Sequence, residues 1–423
     1  MKLYLKTFGC RANQYDTEAL RSIAITNGAS IVHDAAEADY AVFNSCAVTA
    51  EAEADLRQAV RRANRENPAL KSLVMGCAAA LELRPGRNGS IGALRSLPGV
   101  TALFDGADVK AVATTLGLTR ATDRHMTQSG ARALLRIQDG CDEHCTFCAT
   151  TIARGANRSR PVASLVEEAE QVAENHNEIV LTGVHIGAYG LDFGSSLSAL
   201  VATLIERVPG VRFRLSSIEA TEVDERLGEL LASNPRRLAP YLHAPLQSGS
   251  DRVLRRMGRN WYTRRSYVAA VERIASGVNV LGLGADIIAG FPGETEEDHS
   301  ATLSVARDLP FTSLHVFPYS VRPGTPAEKL DGRIDGKTIA RRAAELREVA
   351  RGKAEAWAQR RSGQRADVIV TGGPVSSRAT RNGLTEDYVT VAVNDTSLGR
   401  GARFDAMLSL DGTRLTATPL QNH

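Results

Sequence analysis

Short apolar runs alternate with amphipathic stretches along most of the chain. KLYLKTFG, ADYAVFNS, KSLVMG and TALFDG are compact runs ending near Gly or Ser, while DTEALRSIAITNG and EAEADLRQAVRRANR carry apolar residues at helical spacing. Strands alternating with helices pair in parallel, so residues 1–118 predict a doubly wound α/β domain. The polar stretch from Leu118 to Arg132 reads as a linker. A second alternating series spans residues 127–357, with strands in ALLRIQDG, EIVLTGVHIG, VRFRLSSIEA, YLHAPLQSG, VLGLGADIIAGFPG and SLHVFPYS. Six strand-helix units predict a partial (β/α)6 barrel, whose active-site groups belong at the C-terminal strand ends. Lys337 to Arg365 is periodic and basic enough for one long helix. Over residues 360–423 the period changes to two, in ADVIVTG, TEDYVTVAV, ARFDAMLSL and TRLTATPL. That pattern predicts a small antiparallel β barrel, a class often used to bind oligonucleotides.

Composition narrows the class without deciding it. A chain of 423 residues exceeds one core, and 43% hydrophobic with 23% charged residues is an ordinary globular balance. No window approaches the ~18 unbroken apolar residues of a membrane span, so no membrane partner is expected. MKLYLKTFGC lacks the apolar core of a signal peptide, which predicts a cytoplasmic protein in which disulfides are disfavoured. Net charge is only +3, so any nucleic-acid binding depends on how charge is distributed. Six cysteines in such a chain read as metal-binding or catalytic.

Cys141, Cys145 and Cys148 form a C-x3-C-x2-C array directly after the strand ALLRIQDG. Soft thiolates on one short loop select an iron-sulfur cluster or zinc. A closed zinc site needs a fourth ligand, and only His144 within the loop stands near. An open [4Fe-4S] cluster, with one iron left for a small molecule, is the expectation. Cys10, Cys46 and Cys77 are scattered, and scattered cysteines are usually core residues. Each, however, ends a predicted strand, in TFGC, FNSC and VMGC. The carboxyl ends of parallel strands share one sheet edge, where ligands bind, so these three predict a second three-cysteine cluster.

The cysteine loop, with Phe147 before its last thiol, resembles the radical S-adenosylmethionine superfamily. The resemblance implies that the open iron chelates the amino and carboxylate groups of S-adenosyl-L-methionine, which is cleaved to a 5′-deoxyadenosyl radical. It also implies a cofactor pocket of Thr182, Gly183 and Val184 at the methionine amino group, Ser217 and Glu219 at the ribose, and Gln247 and Gly290 around the adenosyl group. Over its whole length the chain resembles the methylthiotransferases, in GCRANQYDTE, NSCAVTAEAE, GCDEHCTFC, HAPLQSGSDRVLRRMGR, DIIAGFPGETEED and YSVRPGTPA. The terminal barrel resembles their RNA-binding TRAM module. That family implies two [4Fe-4S] clusters, with sulfur carried or delivered at the second and S-adenosylmethionine as both methyl and radical source. Its partners are tRNA, an electron donor such as a flavodoxin or ferredoxin, and a sulfur source.

Arg11 with Asn13-Gln14, TGVHIGAYG and RLSSIEA resembles the branch that modifies carbon 2 of N6-threonylcarbamoyladenosine beside the tRNA anticodon. Other branches act on isopentenyladenosine in tRNA or on a ribosomal-protein aspartate; a non-enzymatic iron-sulfur RNA-binding protein is the alternative of another class. The substrate's carboxylate calls for a planar cationic fork, and Arg154 and Arg158 are the candidates for it or for an RNA phosphate, with structural salt bridges as their alternative. Tyr189, Phe317 and Tyr319 are candidates for base stacking. Two stretches depart from the family pattern: Thr150-Thr151 stand where Ile-Pro is usual, and LELRPGRNGSIGALRS after Cys77 lengthens a surface loop.

Overall fold

The computed structural model describes residues 1–47, 50–84, 94–120, 128–374 and 380–420. The N-terminal strands are β1 (Lys2–Thr7), β2 (Ser30–Val32), β3 (Tyr40–Ser45), β4 (Lys71–Gly76) and β5 (Val100–Leu103). They form one parallel sheet in the order β2-β1-β3-β4-β5. Each face carries its own core. Leu20 and Ile23 of the helix Arg11–Thr26 pack with Val112 on one face, while Leu56, Val60 and Ala79 pack on the other. This is the doubly wound domain expected, plus one strand. β2 is a three-residue edge strand, too short to show a period. Strand order reverses between β1 and β3, the position where such sheets leave a crevice at their carboxyl edge.

The central domain starts with β6 (Ala133–Arg136), followed by a small antiparallel pair, β7 (Gln138–Asp139) and β8 (Arg158–Ser159), that brackets the cysteine loop. Then come β9 (Glu178–Thr182), β10 (Arg212–Leu215), β11 (Tyr241–His243), β12 (Gly282–Ala289) and β13 (Ser313–Pro318). Parallel pairing joins β6-β9-β10 and β11-β12-β13, and the bridges Phe213–Leu238 and Ser217–His243 connect the two halves. Six strands thus run in chain order around a barrel that stays open between β6 and β13 among the described residues. Alternation places Phe213 and Leu215 against the helices and turns Arg212 and Arg214 inward.

The C-terminal strands are β14 (Arg365–Pro374), β15 (Arg381–Thr385), β16 (Thr390–Val393), β17 (Arg403–Asp411) and β18 (Arg414–Pro419). They close in the order β14-β15-β16-β18-β17. The expected antiparallel barrel is present: four of its five pairings are antiparallel, and one, β16 with β18, is parallel. An odd number of strands cannot close with every pair antiparallel. The long helix spans Gly336–Arg361 and leads directly into this barrel. The middle of the expected linker, residues 121–127, and most of the expected surface loop, residues 85–93, lie outside the described residues.

The terminal barrel is docked, not tethered. A Cβ on Gly282 would lie 2.0 Å from the Asp387 carbonyl, so the β15–β16 turn sits directly on the base of the central barrel. There Glu178 accepts from Arg212 Nε at 2.6 Å and Arg214 Nε at 2.8 Å, all three side chains being fully buried. Arg212 also donates to Asp367 O and Arg214 to Glu386 O, 2.8 and 2.9 Å away in the terminal barrel. Burial opposes charge on Glu178, yet Arg214 and Arg212 outweigh it and hold the carboxyl well below the usual range. Glu178→Ala should cost about 3–5 kcal/mol by leaving buried guanidiniums unpaired, read as a lowered thermal midpoint. The carboxylate's contribution is present above its ordinary pKa of about 4.3 and is lost as pH falls through its lower folded value. Deleting residues 364–423 would expose the same cluster, so this truncation should destabilise the central barrel and not merely weaken RNA binding.

Candidate active site

The loop Cys141–Cys148 is pinned at the carboxyl end of the first barrel strands. Gly140 has φ +74°, and a Cβ there would meet the Ala156 carbonyl at 1.9 Å, so only glycine lets the chain pass. Cys141 N then donates to Gly155 O at 2.9 Å, and Thr146 N to Met257 O at 2.8 Å. Each sulfur faces at least one N–H donor. Glu143 N is 3.4 Å from Cys141 Sγ, Arg259 Nη1 is 3.4 Å from Cys145 Sγ, and Thr150 N is 3.3 Å from Cys148 Sγ. Such donors stabilise sulfur carrying negative charge, as cluster thiolates do. Burial pushes the Cys145 thiol up to about 12, against the pull of Arg259, so a bound metal would favour the thiolate that ligation needs. The Thr150-Thr151 departure has a local reason: the Thr151 hydroxyl donates to Glu143 O at 3.1 Å, a bond proline cannot make.

Of the expected cofactor residues, Phe147 lies in this loop and Glu219 reaches it through Arg259. Phe147 packs edge-on against Phe291, and Phe291 against Tyr319, with centroids 6.3 and 5.1 Å apart. Thr182 is buried at the end of β9, and Gly183 presses on Gln138, where a Cβ would approach Oε1 to 2.7 Å. Gln138 Oε1 accepts from Val184 N and His185 N at 3.0 and 2.9 Å. With its amides taken, this turn has carbonyls to offer, which suits an ammonium group. Glu219 is buried and pairs with Arg259, while its Oε2 has no hydrogen-bond partner. An orphaned carboxylate oxygen beside the cysteine loop fits a ligand hydroxyl. Ser217 is exposed nearby, and Gln247 holds φ +60° while accepting from Ile288 N. Gly290, at φ +80°, lies against Ile339 of the long helix.

Two residues near the loop were not singled out from the sequence. His185 Nδ1 lies 3.7 Å from Cys141 Sγ, and its Nε2 is 2.6 Å from Glu222 Oε1. Burial works against its charge, but hydrogen bonds to Cys141 and Glu222 outweigh it and raise it to about 10. The histidine at this loop is therefore His185, while His144 is exposed. Arg259 joins Cys145 to Glu219, and it lies within the RRMGR segment of the longest family motif. Its position in a turn after a short helix gave no periodic signal.

The other three cysteines follow β1, β3 and β4, neighbours in the first sheet: Cys10 three residues after β1, Cys46 and Cys77 directly after β3 and β4. A Cβ on Gly9 would meet Cys46 Sγ at 2.6 Å, so the glycine brings the Cys10 loop onto Cys46. Burial pushes Cys77 up to about 12; Arg154 opposes this, and the nearby Cys10 and Cys46 add to it. Asn13 laces the edge together, donating to Ser45 O at 2.7 Å and Phe8 O at 3.2 Å. Among the described residues one other set of metal-ligating groups converges, His243, Asp286 and His315, within 4.8 Å of one another.

Arg154 corrects an expectation. Its guanidinium is buried between the two cysteine sets, with Nη2 donating to Asp16 at 2.7 Å and Asn13 at 2.8 Å, and Nη1 to Asp139 at 3.1 Å. Both ends of the fork are committed to the protein, so it cannot also clamp a substrate carboxylate. Arg154 instead locks the first domain to the cysteine loop. Arg154→Met would leave Asp16 buried beside one remaining partner, Arg136, at a cost of about 3–5 kcal/mol in thermal or denaturant unfolding. Arg158, in contrast, is exposed at the mouth of a cleft that it shares with Arg84, Asp105 and Arg160. Tyr189 is buried and donates to Arg160 O, which removes it from base stacking, whereas Phe317 is exposed.

Residues 2–85 match a family described as uncharacterized protein family UPF0004, and residues 135–306 match the radical SAM superfamily. The chain is 34% identical over 374 residues to threonylcarbamoyladenosine tRNA methylthiotransferase of Thermotoga maritima, covering 86% of this chain and 85% of that protein. It is 33% identical over 414 residues to the protein of the same description from Rickettsia prowazekii, covering 95% and 93%. A tRNA-2-methylthio-N(6)-dimethylallyladenosine synthase of Parafrankia sp. is 34% identical over 387 residues, covering 87% and 78%. Among solved structures, the radical S-adenosylmethionine methyltransferase TsrM from Kitasatospora setae, with cobalamin and a [4Fe-4S] cluster bound, shares the fold: its TM-score is 0.58 at 15% identity over 77% of each chain. Two matched domains and relatives aligned over most of their length lead to one assignment: the chain belongs to the radical S-adenosylmethionine tRNA methylthiotransferases, in the threonylcarbamoyladenosine branch, whose chemistry uses S-adenosylmethionine and a [4Fe-4S] cluster.

Proposed function

We propose that the protein methylthiolates carbon 2 of N6-threonylcarbamoyladenosine beside the tRNA anticodon, using two [4Fe-4S] clusters. The observation that carries the two-cluster reading is the meeting of Cys10, Cys46 and Cys77 on one sheet edge, joined to the Cys141–Cys148 loop through Arg154. When bound, the first cluster with S-adenosylmethionine supplies an adenosyl radical, and the second supplies a place for sulfur. The chain's own residues hold and shield these groups. Cys141, Cys145 and Cys148 would ligate one cluster, and the amides of Glu143 and Thr150 and the Arg259 guanidinium would offset its negative charge. The Gly183 and Val184 carbonyls would hold the methionine ammonium, Glu219 Oε2 a ribose hydroxyl, and Gln247 and Gly290 the adenosyl end. The Phe147, Phe291 and Tyr319 rings exclude water on one side.

Docking of tRNA rests on Arg158 in its cleft and on the terminal barrel with the helix Gly336–Arg361. Part of that helix is self-neutralised, since Arg341 and Arg351 pair with Glu345 and Glu355 four residues on. The reaction also needs an external electron donor, such as a flavodoxin or ferredoxin, and a sulfur source, all in the cytoplasm with tRNA. Among the described residues no single helix is long and apolar enough to cross a membrane. The Parafrankia relative supports a second substrate, the dimethylallyl form of the adenosine. Anaerobic reconstituted protein, incubated with tRNA bearing one modification or the other, decides between them. The account expects product from threonylcarbamoyl tRNA; product from dimethylallyl tRNA alone would reverse it.

A further inference from the structure

Below the cysteine loop the barrel lumen has a polar wall that none of the roles above uses. On β12, Ala285, Ile287 and Ala289 pack against the helical layer, so Asp286 and Ile288 face inward. On β13, Leu314 joins that layer, and His315 and Phe317 turn inward beside Asp286 and Ile288. Asp286 Oδ1 lies 3.0 Å from His243 Nε2 and 3.4 Å from His315 Nδ1. A Cβ on Gly284 would come within 2.6 Å of the Tyr241 hydroxyl and 2.9 Å of His243 Nδ1, so this glycine makes room for both. Tyr241 stacks on Tyr388 from the terminal barrel, with centroids 4.3 Å apart. Tyr388 holds φ +72°, a conformation bulky residues rarely adopt. Its hydroxyl accepts from Arg11 Nη2 at 2.6 Å, so three domains meet at one ring.

Arg11 is the cation this junction leaves unpaired. Arg214 and Arg132, which approach the same ring, pair with Glu178, whereas among the described residues no carboxylate forms an ion pair with Arg11. Its side chain is half-buried, and that of His315 is 55% exposed toward the lumen. A half-buried guanidinium without a counter-charge, bonded to the Tyr388 hydroxyl and joined to the His315 wall through Tyr241, His243 and Asp286, suits an incoming carboxylate. We infer that Arg11, the Tyr388 hydroxyl and His315 form the subsite for the anionic acyl substituent on the substrate adenosine. Asp286 favours the protonated form of His315, which then points an N–H donor into the lumen. An apolar dimethylallyl substituent would gain nothing there, so the subsite selects by charge. This inference rests on the proposed threonylcarbamoyl substrate.

The test compares binding of the reconstituted full-length enzyme to threonylcarbamoyl tRNA and to the same tRNA without the modification. Wild type should prefer the modified form by about tenfold or more, the scale of a charge-assisted hydrogen bond. R11Q and H315F should each remove that preference, and R11K should restore part of it. Because Arg11 follows Cys10, iron per chain is measured as well; if R11Q loses iron, Y388F replaces it, since it deletes one hydroxyl only. Preference retained in H315F and in the Arg11 or Tyr388 variant overturns the subsite, and so does an equal loss on both tRNAs. A non-iron divalent metal that is retained at one per chain and lost in H315F would also overturn it, in favour of a metal site at His243, Asp286 and His315. A wild type that prefers threonylcarbamoyl tRNA yet forms no methylthio product from it would refute the proposed reaction and leave the subsite standing.

Discussion

Cys145→Ala should abolish reductive cleavage of S-adenosylmethionine, with 5′-deoxyadenosine falling to background in an anaerobic assay with dithionite. The expectation follows from placement. Cys145 is the middle thiol of three on one loop, and a bound metal would favour its thiolate over the thiol that burial favours. No other cysteine can substitute, because Cys10, Cys46 and Cys77 belong to the sheet edge of another domain. A four-iron cluster with two protein ligands is open at two irons and is easily lost. Arg259 would also lose its sulfur partner and keep Glu219, Tyr262 and the Trp261 ring, and the Cys145 variant should lose iron from this loop as well. Cleavage that persisted in this variant would remove the loop from radical generation.

Cys46→Ala is expected to lower the iron of the reconstituted protein by about half while leaving cleavage measurable. Cys46 is buried between the Cys10 loop and β4, and Gly9 has no side chain because Cys46 fills that space. Alanine fits the same volume without the sulfur, so the sheet should fold. Methylthio product should disappear while 5′-deoxyadenosine remains, which separates the two sites by function. Unchanged iron would mean that the sheet edge holds no cluster.

The six strands of the central barrel, the helix-strand alternation and the placement of the cysteines after strands were legible because each depends on local pattern, whereas the short strands β2 and β15 were missed. Cys10, Cys46 and Cys77 could be gathered from sequence alone, since a parallel sheet puts all carboxyl ends on one edge. What stayed hidden depends on contacts between distant residues. Arg154 looked like a substrate clamp from its motif, and only the fold shows Asp16, 138 residues away, holding it. Arg212 and Arg214 alternate like any strand residues, and nothing in RFRL says that Asp367 and Glu386 of another domain will meet them. The parallel closure of β16 on β18 follows from strand number, which β-propensity does not report. Arg11 was visible as a mark of the branch; its hydroxyl partner lies 377 residues on.

Mass spectrometry of nucleosides from tRNA of cells lacking the gene tests the central claim most directly. The account predicts that 2-methylthio-N6-threonylcarbamoyladenosine vanishes and N6-threonylcarbamoyladenosine rises, with the methylthio dimethylallyl nucleoside unchanged. Loss of the dimethylallyl derivative with the threonylcarbamoyl derivative intact would contradict it.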